Sequence, residues 1–355
     1  MAEILGLGLS HYPPLCLPDA EMASLLGWTL QDTSIPAKER DPKNWPTAMQ
    51  AEWANDRGAK AAARHRKELI AGFDRVRAAL DAFKPDAVII WGDDQYENFK
   101  EDLIPPFAVL AYDDLDLYPW AQAQTSSMMK GKQNAWGEDE SKHYRLRGRS
   151  DIAKHLVSGL LEQDIDVAYA YKPLHHGSVA HAFTNAILYL DYHRKGCEHP
   201  TICFPLNCYG RKVISAKGFV TRMDAKLELD PPSPSPKRFM QVGAATARVL
   251  KASPWRVALI ASSSWSHAFL CDPTFRLRPD TPADRRLYEA LRDADYATWR
   301  ATPLKAVEDA GQQEVLNWFA LAGAMETLGA KLEWCTFVET HIFNSNKVFA
   351  VYRTA

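Results

Sequence analysis

The length, charge and composition of the chain set the first limits on its fold and its partners. Its 355 residues carry a formal charge of −2 and are 46% hydrophobic, which is ordinary for a globular protein of one large domain or two. The balanced charge gives no reason to expect nucleic acid or an acidic membrane as a partner. No apolar run approaches the roughly 20 residues that a membrane-spanning helix needs.

The amino terminus and the cysteines predict a cytoplasmic protein. The first residues lead straight into a strand-like run, so we expect no signal peptide. The six cysteines are scattered, and Cys203 and Cys208 lack a second nearby pair, which disfavours a zinc ribbon. We interpret all six as reduced thiols.

The first predicted strand runs from residue 3 to residue 9 and ends in the motif S-H-Y-P-P. Because the two prolines stop the strand, His11 lies at a strand end. Gly6 and Gly8 within the strand indicate a close backbone approach. A G-x-G pattern without the third, helix-opening glycine is weak support for a dinucleotide site.

Residues 15–56 are irregular and rich in proline and tryptophan. They form either a lid over a site or a plain surface excursion. Residues 54–83 then predict one or two helices with an apolar stripe at helical spacing. His65 lies on this helix, and we expect it on the surface.

Polar residues follow two further predicted strands. The buried run at 85–91 leads into G-D-D-Q-Y-E-N-F at 92–99, and a turn with Asx-type self-bonding explains only one or two of these five polar side chains. The run at 166–171 leads into P-L-H-H-G, which places His176 at a strand end.

The C-terminal half supplies the last predicted site residues. Residues 256–261 are typical of a strand buried on both faces, and His267 follows the serines that end it. Glu314 opens a predicted helix over 314–328, where a carboxylate also suits the helix dipole. Two strands at 334–340 and 348–352 close the chain. The proline-rich run at 231–236 predicts a stiff surface connection.

Strands that alternate with helices predict an α/β fold. We expect a single large domain with a central mixed, mainly parallel sheet and helices on both faces. The polar strand ends then share one edge of the sheet. His11, the run at 92–99, His176 and His267 therefore predict a functional site in one crevice.

The residue types at this edge suit a metal. Histidines with one carboxylate and no nearby thiolate favour Fe(II), Mn(II) or Zn(II). The chain lacks the G-x-S-x-G, P-loop and H-E-x-x-H motifs, which disfavours a serine hydrolase, a P-loop enzyme and the commonest zinc peptidase arrangement.

The order of five motifs is similar to that of the class III extradiol ring-cleavage dioxygenases, of the protocatechuate 4,5-dioxygenase catalytic-subunit type. The motifs span nearly the whole chain: G-L-S-H-Y-P-P, P-D-A-V-I-I-W-G-D-D-Q-Y-E-N-F, D-V-A-Y-A-Y-K-P-L-H-H-G, S-S-S-W-S-H and G-Q-Q-E-V-L-N-W-F-A-L-A-G-A-M. The resemblance implies one Fe(II), with Mn(II) as an alternative, held by two histidines and a glutamate, and O2 as co-substrate. It assigns the first histidine ligand to His11, the carboxylate to Glu314, the acid–base role to His267 and a place near the substrate to His176.

The chain departs from the family pattern at the second histidine ligand. The family has Asp-His before Tyr there, whereas this chain has Asp94-Gln95-Tyr96. The resemblance therefore makes Gln95 the second metal ligand, through a neutral amide oxygen that binds transition metals more weakly than imidazole. Asp93 or Asp94 is the alternative ligand.

The implied reaction is extradiol cleavage of a catechol-like ring, a vicinal diol or an aminophenol, with His267 removing and returning a proton. The resemblance also implies a homodimer, with or without a small accessory subunit. Two other classes stay open because of Gln95: a non-catalytic partner subunit or binding protein, and a metal-dependent hydrolase or lyase. Arg145, Arg147 and Lys172 are candidates for binding a substrate carboxylate, although we interpret each as a solvated surface charge.

Overall fold

The computed structural model describes residues 2–126, 129–175 and 177–354. The strands in this part of the chain are β1 Glu3–Leu9, β2 Ala87–Asp93, β3 Ala108–Leu110, β4 Leu115–Leu117, β5 Tyr144–Leu146, β6 Ala168–Ala170, β7 Thr201–Leu206, β8 Arg256–Ser262, β9 Lys331–Val338 and β10 Lys347–Arg353. The α-helices are α1 Ser24–Thr29, α2 Ala37–Arg40, α3 Thr47–Trp53, α4 Ala59–Phe83, α5 Pro119–Ala123, α6 Ser150–Leu161, α7 His181–Leu190, α8 Arg211–Ser215, α9 Pro236–Lys251, α10 Thr281–Arg292, α11 Tyr296–Ala301, α12 Leu304–Asp309 and α13 Leu316–Leu328.

The central sheet of the described chain has eight strands in the order β6-β3-β7-β2-β8-β1-β10-β9. Its middle is parallel, since β8 pairs with both β1 and β2, and β2 pairs with β7. The last two strands join antiparallel, β10 against β1 and β9 against β10. Strands β4 and β5 form a separate antiparallel pair. The prediction of a mixed, mainly parallel sheet is confirmed.

Apolar side chains alternate between the two faces of the middle strands, so each face has its own core. In β2, Ile89 and Trp91 pack with α6, α9 and α13 on one face, whereas Val88 and Ile90 pack with α4 and α7 on the other. A strand buried on both faces needs helices on both sides of the sheet. The predicted α/β architecture is therefore confirmed. None of the described helices is long and apolar enough to cross a bilayer.

The glycines of β1 permit the close approach that the sequence indicated, and the neighbour is a helix. A Cβ on Gly8 would lie 2.0 Å from the Trp318 ring, and one on Gly6 would lie 2.2 Å from Met325 Sδ. Both contacting side chains belong to α13. The bare backbone of β1 thus lets α13 pack directly on the sheet, beside the end of the strand that carries His11.

The structure corrects two expectations about the amino-terminal third. His65 is buried, 5% exposed, and its ring stacks on Phe343 at 4.9 Å, so the prediction that it lies on the surface is wrong. It precedes Leu69 by one helical turn and therefore shares the core-facing side of α4. Residues 15–56 are also less irregular than expected, since they contain α1, α2 and α3.

A carboxylate ties the excursion between β3 and β6 to the body of the fold. Glu138 accepts hydrogen bonds from Trp120 Nε1 at 2.8 Å, Tyr144 OH at 2.6 Å and Arg194 Nε at 2.9 Å. Burial opposes ionisation, but Arg194 and Tyr144 outweigh it, so the pKa of Glu138 is lowered. These bonds favour the ionised form of Glu138, and the bond from Arg194 joins the excursion to a segment 56 residues away in sequence.

We expect Glu138→Gln to lower the free energy of unfolding by about 1.5–3 kcal/mol at neutral pH, the range for a lost hydrogen bond to a charged group. A folded-state pKa below the unfolded value of about 4.3 stabilises the protein above that pH, and the benefit disappears as pH falls through the folded-state pKa. The difference between wild type and variant in denaturant titrations should therefore shrink in acid. Exposed Glu140→Gln is the control; an equal loss in both variants would contradict the role of Glu138.

Candidate metal centre

Three of the predicted strand-end features meet at the carboxyl edge of the parallel strands. His11 follows β1, Asp93 ends β2, and His267 follows β8. All three residues are buried, with exposures of 1%, 0% and 4%. Parallel pairing of β1 and β2 with β8 brings these ends together, so the crevice expected from the sequence is formed by residues that are far apart in the chain.

His11 presents one ring nitrogen to this crevice. Its Nδ1 lies 3.0 Å from the Ser262 carbonyl oxygen, which makes Nδ1 the donor and leaves Nε2 as the free lone pair. That Nε2 lies 3.3 Å from Glu314 Oε2 and 3.8 Å from Asp93 Oδ1, and it has no hydrogen-bond partner among the described residues. Burial, together with the nearby imidazoles, lowers the pKa of His11.

Glu314 lies in a single 3-10 turn, Gln313–Val315, that leads into α13. Its carboxylate lies between two histidines, with Oε2 near His11 and Oε1 3.2 Å from His267 Nε2. Burial and the charge of Asp93 raise the pKa of Glu314 well above its ordinary value. The structure thus places Glu314, which the resemblance assigned as the carboxylate ligand, between His11 and His267.

Tyr209 connects Glu314 to Gln95. The buried Tyr209 hydroxyl donates a short hydrogen bond to Glu314 Oε1 and lies 3.4 Å from Gln95 Oε1. The nitrogen of the same Gln95 amide, Nε2, donates a hydrogen bond to the Gly218 carbonyl at 2.7 Å. Protein groups thus contact both ends of the amide, and Gln95 joins the segment at 217–222 to the site.

The polar side chains that follow β2 make different contacts, which explains why five polar residues occur together at 93–98. Asp93 faces His11. Asp94 accepts from the backbone nitrogens of Glu97 and Asn98, each at 2.8 Å, so it builds the turn. Asn98 and Glu97 bind the start of α7, through Ala180 N at 2.7 Å and His181 N at 3.0 Å.

His181 is a site residue that the sequence analysis missed. One ligand atom each from His11, Asp93 and His181 lies within 4.8 Å of the other two. Burial disfavours a charge on His181, but Glu97 and the nearby carboxylates outweigh it and raise its pKa to about 10. A histidine at the start of a helix is ordinary in sequence, and its only signal was that it closely follows the H-H-G motif.

The donor set fits a divalent metal. It combines imidazole nitrogens with carboxylate oxygens, the ligands that suit Fe, Mn and Zn. Burial raises the pKa of Asp93 to about 6, because the charged form of the carboxylate is poorly solvated there. Within the described chain, His11 Nε2, Asp93 Oδ2 and Glu314 Oε2 are buried without a hydrogen-bond partner. A bound cation would satisfy such atoms.

A cavity of about 910 Å³ opens beside this cluster and includes His181, Gln95 and Glu97 in its wall. Its apolar wall includes the rings of Trp28, Trp120 and Phe269. Four cationic side chains also line it: Lys100, Lys217, Arg222 and Arg276. The volume and aromatic lining suit a small organic ligand.

The remaining sequence predictions fall outside this centre. His176 lies outside the described residues. Trp45 packs against Trp53 with ring centroids 5.8 Å apart, and Trp28 is the tryptophan of this stretch that reaches the cavity. Arg145 pairs with Asp116 at 2.9 Å, and Arg147 approaches Glu198 at 3.9 Å, which agrees with their interpretation as surface charges.

Comparison with known proteins gives one distant similarity. No protein-family model matches the chain. Over 195 residues it is 23% identical to the 2,3-dihydroxyphenylpropionate/2,3-dihydroxicinnamic acid 1,2-dioxygenase of Photorhabdus laumondii. The match covers 55% of this chain and 47%, about half, of that protein. It supports the resemblance to ring-cleaving dioxygenases at the broad level and does not support the protocatechuate 4,5-dioxygenase subtype.

Removal of the Tyr209 hydroxyl tests the connection to Glu314. Tyr209→Phe leaves a buried carboxylate oxygen without its hydroxyl donor, which should cost about 1–3 kcal/mol in the free energy of unfolding. The matched control is Tyr352→Phe, because the buried Tyr352 hydroxyl has no hydrogen-bond partner in the described chain and its removal should cost nothing. Equal stability of the two variants in denaturant titrations would contradict the assigned bond.

Proposed function

We propose that the chain is a non-heme iron dioxygenase that cleaves the ring of a catechol-like substrate, a vicinal diol or an aminophenol, in extradiol fashion with O2. The observation that carries the proposal is the buried line His11, Glu314, His267, in which the carboxylate lies 3.3 Å from one imidazole and 3.2 Å from the other. The distant similarity to a 1,2-dioxygenase supports the same class.

His11 and Glu314 would hold the metal, because His11 Nε2 and Glu314 Oε2 lie 3.3 Å apart and both are buried without a hydrogen-bond partner among the described residues. Imidazole and carboxylate are the donors of the facial sites in Fe(II) oxygenases. When bound, Fe(II) supplies open positions for the vicinal substrate oxygens and for dioxygen. The protein residues around it orient the substrate, exclude water and move protons.

His267 is the residue assigned to proton transfer. Burial, helped by the charge of Lys347, lowers its pKa to about 3, so the ring is neutral in the structure. A base of such a low pKa is weak, and acid–base catalysis is most efficient when the pKa lies near the operating pH. The assigned role therefore requires the bound substrate to raise the pKa of His267. Its Nδ1 has no hydrogen-bond partner among the described residues, while Nε2 faces Glu314.

The cavity supports a single aromatic ring with a substituent as the substrate. Trp28, Trp120 and Phe269 offer faces and edges for ring contacts. Three of the four cations at the wall already have carboxylate partners: Lys217 with Glu101, Arg222 with Asp224 and Arg276 with Asp272. We therefore expect the aromatic ring and its vicinal oxygens to contribute more to recognition than a substrate charge.

The proposal is tested by dioxygen uptake. Protein purified without oxygen and reconstituted with Fe(II) should consume one O2 for each molecule of a suitable catechol or aminophenol. The product should be a ring-opened acid of the semialdehyde type, or the corresponding ketone where the cleaved carbon bears a substituent. Metal binding without uptake on a broad panel, or turnover that proceeds without O2, would contradict the proposal and favour a hydrolase, a lyase or a non-catalytic subunit.

His267→Ala separates proton transfer from metal binding. We expect the variant to keep its iron while turnover falls by roughly 10²–10⁴-fold, the usual contribution of a general acid–base group. His175→Ala is the control, because His175 pairs with Asp102 at 2.7 Å near the surface. Loss of iron from His267→Ala would instead make His267 a ligand.

A further inference from the structure

We propose that His181 supplies the second imidazole of the metal site, in the role that the family resemblance gives to position 95. The inference depends on the proposed function only in that the crevice binds a metal. It does not depend on the reaction that follows.

The geometry of three side chains carries the inference. His11, Asp93 and His181 each bring one ligand atom within 4.8 Å of the others. The rings of His11 and His181 meet edge to face, with centroids 5.1 Å apart. His11 Nε2 and Asp93 Oδ2 are both buried without a hydrogen-bond partner in the described chain. A metal between these atoms would satisfy both.

Glu97 orients the His181 ring through a carboxylate–imidazole hydrogen bond, as is usual for metal-binding histidines. One of its oxygens lies 2.5 Å from His181 Nδ1, and the other accepts from the His181 backbone nitrogen at 3.0 Å. Metal-binding histidines generally donate their second ring N–H to a carboxylate or carbonyl, which fixes the tautomer and the ring orientation. Nδ1 is therefore the donor and Nε2 is left for the metal. His11 has the same arrangement with the Ser262 carbonyl.

The turn after β2 brings this histidine to the site. Asp94 closes the turn, and Asn98 and Glu97 fasten it to the start of α7, where His181 is the first helical residue. The turn therefore contains no histidine itself, but it positions the imidazole of His181 at the start of α7. Gln95 on the same turn instead contacts Gly218 and Tyr209, so its amide anchors the segment at 217–222.

Charge favours a cation at this place. Asp93 and Glu314 lie against His11, and Glu97 lies against His181. Three carboxylates thus surround two imidazoles, of which His11 is buried and His181 is partly exposed at the cavity wall. A divalent cation there would offset the repulsion between Asp93 and Glu314 and would leave Glu97 to orient His181.

Metal affinity, measured without turnover, tests the inference. Anaerobic titrations with Co(II), read by visible absorption, and with Fe(II) against a competing chelator would give dissociation constants for the full chain. We expect His181→Ala to weaken binding by more than about 100-fold, since loss of an orienting partner alone costs about 10–100-fold. Glu97→Gln should fall within that smaller range. Free imidazole should restore much of the affinity of His181→Ala by entering the space left.

Gln95→Ala is the matched control, because it removes another polar side chain of the same cavity wall. We expect it to keep the wild-type metal affinity. Circular dichroism and thermal unfolding of each variant check folding, and His181→Gln replaces His181→Ala if the latter is unfolded. Wild-type affinity in a folded His181 variant overturns this inference and leaves the proposed function standing. Loss of binding in Gln95→Ala alone returns the ligand to position 95, and no binding by the wild type overturns both proposals.

Discussion

Parallel pairing of β1 and β2 with β8 is the constraint on which the site depends. In this register Leu9 lies opposite Ser262, and Trp91 lies opposite Ala261. The three strands therefore end at one level, and His11, Asp93 and His267 emerge together. Helix α13 packs directly on β1, because the glycines of that strand leave space for the side chains of Trp318 and Met325. That packing also fixes the turn that carries Glu314.

The buried charges explain why this edge suits a cation. Burial raises the pKa of Asp93 and of Glu314. The charge of Asp93 also raises the pKa of Glu314, and the charge of Glu97 raises the pKa of Asp93. The histidines respond to their neighbours in opposite directions. Burial lowers the pKa of His11 and His267, whereas Glu97 raises that of His181. A bound metal would replace the proton on His181, which would then be a ligand. His267 would stay neutral and remain available as the base.

The strands and their polar ends could be predicted because their signals are local. The apolar runs at 85–91 and 256–261 predict buried strands from local sequence alone. The positions of His11 and His267 at strand ends were predicted in the same way. His181 could not be found in this way. Its partner Glu97 is 84 residues away, and a histidine that opens a helix has no pattern of its own. His65 shows the converse, since its spacing from Leu69 already indicated the buried face of α4.

The contacts of Gln95 could not be predicted from the sequence either. The motif order pointed to position 95 as a ligand, and only the contacts with Gly218 and Tyr209 indicate another task. The segment at 217–222 has no motif, yet it supplies part of the cavity wall. Long-range contacts of this kind depend on the folded chain, so no local pattern predicts them.

Anomalous diffraction from crystals of the Fe(II)-loaded protein tests the central claim most directly. Data on both sides of the iron edge would locate the ion without reference to activity. The account predicts one peak at the carboxyl edge of β1 and β2, with His11 Nε2 and His181 Nε2 both at about 2.0–2.2 Å, the range for nitrogen ligands of a divalent metal. A peak bound to Gln95 and not to His181, or a peak away from His11, would contradict it.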